Sequence, residues 1–160
     1  MIDVTEAAAG NEVLVLELIR AMETGDLPEA VKSLCTEGFV WANSGLATIN
    51  GQAQLLDQMA LGGFASQIPI LKTMTHFSAE LIHIASKGDI VFTERVDHHW
   101  DEQGRDLMTP HICGVVEVCE GRISSFRDFY DVACYSQDPT EAKQGFDLAS
   151  FRESQLKGEK

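Results

Sequence analysis

The chain reads IVFTERVDHHW over residues 90–100, where side chains of opposite character alternate with a period close to two. That period is typical of a β-strand, in which successive side chains point to opposite faces. Arg95 and Asp97 are two residues apart, so they project from the same face. A buried charge is costly unless it is paired. The stretch therefore predicts a strand whose charged side chains find partners elsewhere in the fold.

A second charged run, RDFYD at residues 127–131, also lies in a segment with strand periodicity. If Asp128 on this strand meets Arg95 and Asp97, two carboxylates and a guanidinium share one site. Such a group is either acid–base machinery or a structural ion cluster that sets strand register. The residues alone leave both interpretations open.

The period of two extends outward from these runs through four strands, with turn signals at Gly88, Gly104 and Gly121. The predicted strands cover residues 72–85, 90–100, 105–119 and 122–134. Earlier in the chain a period near 3.6 predicts helices. These cover residues 10–25, capped by Asn11, then a segment from about 28 that Gly38 closes, and residues 52–61. A short strand at residues 39–43 precedes the third helix.

This order of elements argues for an α+β fold. We expect a strongly curved mixed, mostly antiparallel sheet wrapped around three or more helices, which forms a cone with one deep pocket. Residues 1–137 are predicted to form this single domain. Residues 138–160 are predicted to be a polar C-terminal tail, compatible with a short helix around Phe146 and Phe151.

Charge and composition exclude several classes of partner. The formal net charge of -13 argues against nucleic acid and against an anionic membrane surface. The chain has no apolar run of roughly 20 residues, and its acidic N-terminus lacks the features of a signal peptide. We therefore expect a cytoplasmic protein. The four cysteines show no CxxC spacing, which predicts buried free thiols and no zinc site.

Several motifs together resemble limonene-1,2-epoxide hydrolase, within the superfamily of nuclear transport factor two, ketosteroid isomerase and the polyketide cyclases (the cystatin-like α+β cone). They are FTERVD at residues 92–97, CGV at 113–115, EGRI at 120–123, FRDFYD at 126–131, VWAN at 40–43 and the helix entry at Gly51. The resemblance covers roughly residues 10 to 135.

The resemblance implies one-step hydrolysis of a small or medium apolar epoxide to a diol, with water as nucleophile and no metal or cofactor. Asp97 matches the family's general acid and Asp128 its general base. Arg95 matches the guanidinium that bridges them, and Asn43 the amide that helps to hold the water. Trp41 stands where the family usually has a tyrosine. An indole N–H can donate to the water but, unlike a hydroxyl, cannot accept from it.

The resemblance also places four apolar side chains at the pocket wall, namely Ile19, Met22, Met59 and Ile112. His99 shares the face of Asp97 and is expected near the pocket mouth, with no metal. Two other functions stay open at this stage. One is an isomerase or polyketide-cyclase-like enzyme of the same fold, and the other is a non-catalytic module that binds apolar ligands.

The opposite face of the same strand carries an apolar series of Ile90, Phe92, Val96 and Trp100. Apolar side chains in such a row are typical of a surface that another surface covers. The sequence therefore predicts a homodimer that forms through the outer face of the sheet.

Overall fold

A computed structural model describes residues 1–136, and the predicted polar tail at residues 138–160 lies outside the described residues. The described part contains three α-helices and six β-strands, in the order of two helices, two strands, one helix and four strands. The helices are α1 (Gly10–Thr24), α2 (Leu27–Leu34) and α3 (Gln52–Ala60). The strands are β1 (Cys35–Asn43), β2 (Ile49–Asn50), β3 (Met74–Lys87), β4 (Ile90–Asp101), β5 (His111–Cys119) and β6 (Arg122–Phe129). Short 3-10 turns cover Val4–Glu6, Phe64–Gln67, Pro69–Leu71 and Val132–Tyr135.

The strands form one sheet in the order β2-β1-β6-β5-β4-β3. β1 runs parallel to β6, and all the other neighbours are antiparallel. The sheet is open, because β2 and β3 stand at its two edges. The predicted α+β fold with a mixed, mostly antiparallel sheet is confirmed.

The helices pack against one face of the sheet. α1 buries the centre of its apolar stripe, since Val15, Leu16 and Ile19 are inaccessible to solvent, and Phe39 and Phe126 of the sheet belong to the same core. α1 ends at Thr24, and Gly25 caps it with a φ of 82°, the left-handed conformation that glycine adopts without strain. In the part of the chain that the structure describes, no helix is long and apolar enough to span a membrane.

The cap of α1 and the end of α2 differ from the prediction. α1 begins at Gly10, as predicted, but its N-cap is Ala9 and not Asn11. The Glu12 carboxylate instead accepts from the Ala8 N–H at 2.7 Å, next to the helix start. α2 ends at Leu34 rather than at Gly38, because the chain enters the sheet at Cys35. Gly38 lies where β1 shifts register against β6, a usual position for a strand glycine.

Two of the predicted strands are shorter in the structure. β5 begins at His111 rather than residue 105, because Pro110 lacks the N–H that a ladder needs, and the preceding segment makes only a single bridge from Asp106. β6 ends at Phe129 rather than residue 134. The Asp131 carboxylate then accepts from the Ala133 N–H at 2.9 Å and caps a 3-10 turn.

Candidate active site

Arg95 lies at the centre of a buried cluster with two carboxylates. Its Nε and Nη2 donate to Asp97 at 2.9 and 3.2 Å. Its Nη1 and Nη2 donate to Asp128 at 3.1 and 2.5 Å. The strand periodicity places Arg95 and Asp97 on one face of β4, and β5 brings Asp128 of β6 opposite them. The guanidinium thus holds both carboxylates by two hydrogen bonds each, the geometry in which an arginine fixes a carboxylate most strongly.

Burial governs the protonation of this cluster. Arg95 is 1% exposed, Asp97 6% and Asp128 5%. Burial raises the pKa of the Asp128 carboxyl above its ordinary value, and the positive charge of Arg95 only partly offsets that rise. For Arg95, burial opposes the charge, but Asp128 and Asp97 together raise its pKa, so the guanidinium stays charged. One positive charge balances one carboxylate, so the cluster is neutral when the pair of acids holds a single proton.

Gly114 on β5 makes room for the cluster. A Cβ atom at this position would lie under 3.0 Å from Thr93 Oγ1, 3.0 Å from Arg95 Nη1 and 3.2 Å from Asp128 Oδ1. Thr93 itself accepts from Arg95 Nη1 at 3.3 Å. Only a residue without a side chain fits between these three groups.

Asn43 lies beside Asp128, because β1 and β6 pair these two residues directly. Tyr130 stands above them, and its hydroxyl is 2.6 Å from that of Tyr135 and 3.4 Å from Asn43 Oδ1. Tyr135 donates its proton to the Ser44 carbonyl at 2.6 Å, so Tyr130 is the donor to Tyr135. Burial raises the pKa of Tyr130. Its hydroxyl therefore anchors the last turn and is not an acid toward the cavity.

Trp41 is buried, and its ring packs between Phe39, Phe64 and Phe126 with centroid distances of 5.4 to 5.9 Å. Its indole Nε1 has no hydrogen-bond partner in residues 1–136. A buried N–H without a partner is unfavourable by roughly 1–3 kcal/mol. The Trp41 N–H is thus an unpaired buried donor in a side chain that lines a cavity.

A cavity of about 250 Å³ opens in front of the cluster. Its polar lining comes from Trp41, Asn43, Asp97, His99 and Tyr130, and its other walls are apolar. Asp97 is the member of the acid–arginine cluster that lines this cavity, and Arg95 and Asp128 lie behind the wall. The apolar lining comes mainly from Met22, Leu27, Leu46, Phe64, Ala65, Ile68, Leu71, Met74, Phe77 and Met108.

The four predicted wall residues fall in different places. Met22 lines the cavity, and Met59 lines a smaller neighbouring cavity of about 90 Å³. Ile19 is completely buried in the core beneath α1, and Ile112 is buried beside Arg95, its partner across the ladder. Neither of these two isoleucines lines the two cavities.

His99 lines the cavity together with Asp97. It is buried, and its Nδ1 lies 2.8 Å from the Met108 carbonyl oxygen. Burial lowers the pKa of its imidazole below the ordinary value. The sequence indicated that His99 shares a face of β4 with Asp97. It did not indicate that the segment before β5 covers His99, because that segment has no regular periodicity.

The cysteines divide into two pairs. Cys35 and Cys134 are buried free thiols, as predicted, and burial raises the pKa of each to about 12. The prediction is wrong for Cys113 and Cys119, which are exposed because β5 places them on the side away from the helices. Within the described residues, no three His, Cys, Asp or Glu side chains are arranged to hold a metal ion.

The α+β architecture, with its mixed sheet and its apolar cavity, is the fold of the NTF2-like and SnoaL-like proteins. The family model described as the limonene-1,2-epoxide hydrolase catalytic domain matches residues 10–138, and the chain belongs to that family.

Solved structures share the same fold. One is an epoxide hydrolase like limonene-1,2-epoxide hydrolase from M. tuberculosis, 24% identical over 77% of this chain and 84% of the other, with a TM-score of 0.62. A SnoaL-like protein from Jannaschia sp. CCS1 is 14% identical over 77% and 86%, with a TM-score of 0.59. A protein of ketosteroid isomerase-like fold from Catenulispora acidiphila is 16% identical over 76% and 88%, with a TM-score of 0.60. At these identities the likeness concerns the fold.

Proposed function

We propose that this protein is an epoxide hydrolase, which adds water to a small or medium apolar epoxide in one step without a metal or cofactor and releases a diol. The observation that carries the proposal is the double bridge of Arg95, which holds Asp97 at the cavity wall and Asp128 behind it. Family membership supports the same chemistry.

The proton balance of the cluster suits the reaction. With one proton on the two carboxylates, Asp97 at the cavity wall donates it to the epoxide oxygen as the C–O bond breaks. Water attacks the carbon and gives its own proton to Asp128. Burial raises the pKa of Asp128, so in the reactive form, with the proton on Asp97, the Asp128 carboxylate is a strong base toward the water.

The water has three groups to hold it between the cavity and Asp128. The Trp41 N–H donates to one lone pair of the water, and the second lone pair stays available for attack. The Asn43 amide can accept one of its hydrogens, and Asp128 accepts the other. Trp41 Nε1 is unpaired and has no surface open to a water molecule in the structure, so the indole must shift slightly to admit the water that would satisfy it.

Trp41 also favours a second candidate, an isomerase or cyclase in which a carboxylate takes a proton from carbon. An indole cannot accept a hydrogen from water, whereas the tyrosine usual in the family can. The two reactions differ in whether solvent oxygen enters the product. The cytoplasmic location and the homodimer stay predictions.

The test uses Asp97→Asn and Asp128→Asn, with Asp57→Asn on the exposed side of α3 as a matched control. We expect each site variant to lower kcat for epoxide opening by about 10²- to 10⁴-fold, the usual contribution of a general acid or base. The control should retain wild-type kcat. Reaction in ¹⁸O-labelled water should place one label in each diol. Full turnover by either site variant, or product without label, would contradict the proposal.

A further inference from the structure

His99 is the group in the cavity wall that the proposed reaction leaves unused. It follows Asp97 by two residues on β4, so both side chains project from the same face, with Cα atoms about 7 Å apart. It is 9% exposed, and its ring packs edge-on against Phe77 at 5.5 Å. The ring therefore occupies one defined position in the wall.

The hydrogen bonding of His99 fixes which nitrogen carries the proton. The Met108 carbonyl can only accept, so the Nδ1 that contacts it at 2.8 Å is the N–H donor. A neutral imidazole has one N–H, which leaves Nε2 with a free lone pair. Nε2 has no hydrogen-bond partner in the part of the chain that the structure describes. His99 thus carries an unpaired hydrogen-bond acceptor on a fixed ring that lines the cavity.

The other polar groups of the cavity have hydrogen-bonding roles that differ from that of His99. In the proposed reaction Asp97 donates to the epoxide oxygen and Asn43 lies beside Asp128 at the water, while the Tyr130 proton goes to Tyr135. The proposed reaction thus uses a donor toward the epoxide oxygen and leaves unused, two residues further along β4, an acceptor at His99 Nε2. An apolar substrate with only an epoxide would leave that acceptor unpaired.

We propose that the substrate is an apolar epoxide that also carries a hydroxyl group, and that His99 Nε2 accepts the hydrogen bond from that hydroxyl. This rests on the proposed function, because it takes the cavity as the substrate site. The cavity of about 250 Å³ suits one small ring with its substituents, since a cavity of roughly 150 Å³ takes benzene.

The test measures binding without turnover, by isothermal titration of unreactive ligands. Cyclohexanol carries the hydroxyl, and fluorocyclohexane has nearly the same shape but cannot donate a hydrogen bond. A hydroxyl loses more hydration than fluorine on entering an apolar site. We expect the wild-type protein to bind the alcohol at least as tightly as the fluoride, which requires an acceptor in the wall.

In His99→Leu we expect the ratio of the two dissociation constants to shift against the alcohol by about 3- to 10-fold, the worth of one hydrogen bond. His99→Phe is a second variant that fills the ring's space, and circular dichroism verifies that both variants fold. His83→Leu, which removes an exposed histidine from β3, should leave the ratio unchanged.

Tighter wild-type binding of the fluoride, or an unchanged ratio in folded His99 variants, would overturn the inference. Its failure is separable from failure of the proposed function. A hydroxyl preference that depends on His99, without diol formation from any epoxide, leaves the binding inference standing and removes the hydrolase. Labelled diol without a hydroxyl preference that depends on His99 would support the hydrolase and remove the binding inference.

Discussion

Gly114→Ala perturbs the acid–arginine cluster without changing any of its charges. The added methyl group would lie under 3.0 Å from Thr93 Oγ1 and 3.0 Å from Arg95 Nη1. Ordinary contacts begin near 3.4 Å, so Thr93 must retreat by at least about 0.4 Å and the guanidinium by about the same distance. Because Arg95 holds both carboxylates, its movement displaces Asp97 and Asp128 together.

The expected magnitudes follow from this crowding. An extra methyl in a packed interior destabilises by about 1–3 kcal/mol. For a chain of this length that lowers the melting temperature by about 2–12 °C. Catalytic groups displaced by a large fraction of an ångström lose up to about 10²-fold in rate, so kcat for diol formation should fall by about 10- to 100-fold.

The assay pairs thermal unfolding with kcat in a double-mutant cycle. Thr93→Ala removes the oxygen that the new methyl group meets first, and also removes the hydrogen bond from Arg95 Nη1. The variant with both Gly114→Ala and Thr93→Ala should therefore melt close to Thr93→Ala alone, with a coupling of about 1–2 kcal/mol. Strictly additive losses, or wild-type melting and kcat in Gly114→Ala, would refute the crowding argument.

Three further predictions concern the wall, the helix start and the outer face. Trp41→Tyr should raise kcat/KM for bulky epoxides relative to small ones, because Trp41 separates the main cavity from the neighbouring one, and an unchanged ratio would contradict this. Glu12→Gln should lower the melting temperature at neutral pH. It should also make the melting temperature decrease less steeply as the pH is lowered. The Ser86 hydroxyl and the Ala8 N–H lower the pKa of Glu12, so its stabilisation is present above the ordinary carboxyl pKa and is lost as pH falls through the lowered value. An acid profile identical to wild type would count against that account. Phe92→Lys should convert the proposed dimer to monomer in sedimentation analysis, because Phe92 is 45% exposed beside Ile90 on the side of β4 away from the helices. A wild-type protein that sediments as a monomer at micromolar concentration would refute the dimer.

Local periodicity was sufficient to predict much of the fold and the part of the site that lies on β4. The alternation along β4 set Arg95, Asp97 and His99 on one face, because side-chain direction in a strand depends only on the backbone. The turn glycines and the change of period from 3.6 to two marked most elements within a few residues. These local signals did not predict an element's end where pairing with a distant strand sets it. At the end of α2, for example, pairing with β6 brings Cys35 into the sheet.

Only the tertiary structure brought the site together. The register of three strands places Asp128 on Arg95 and leaves room there for nothing larger than Gly114, and register depends on packing across the whole sheet. An isoleucine in the core and one at a cavity wall look alike in a sequence, because both are apolar and buried. Ile19 therefore proved to be core, and the wall position of His99 emerged only once the irregular segment around Met108 had folded over it.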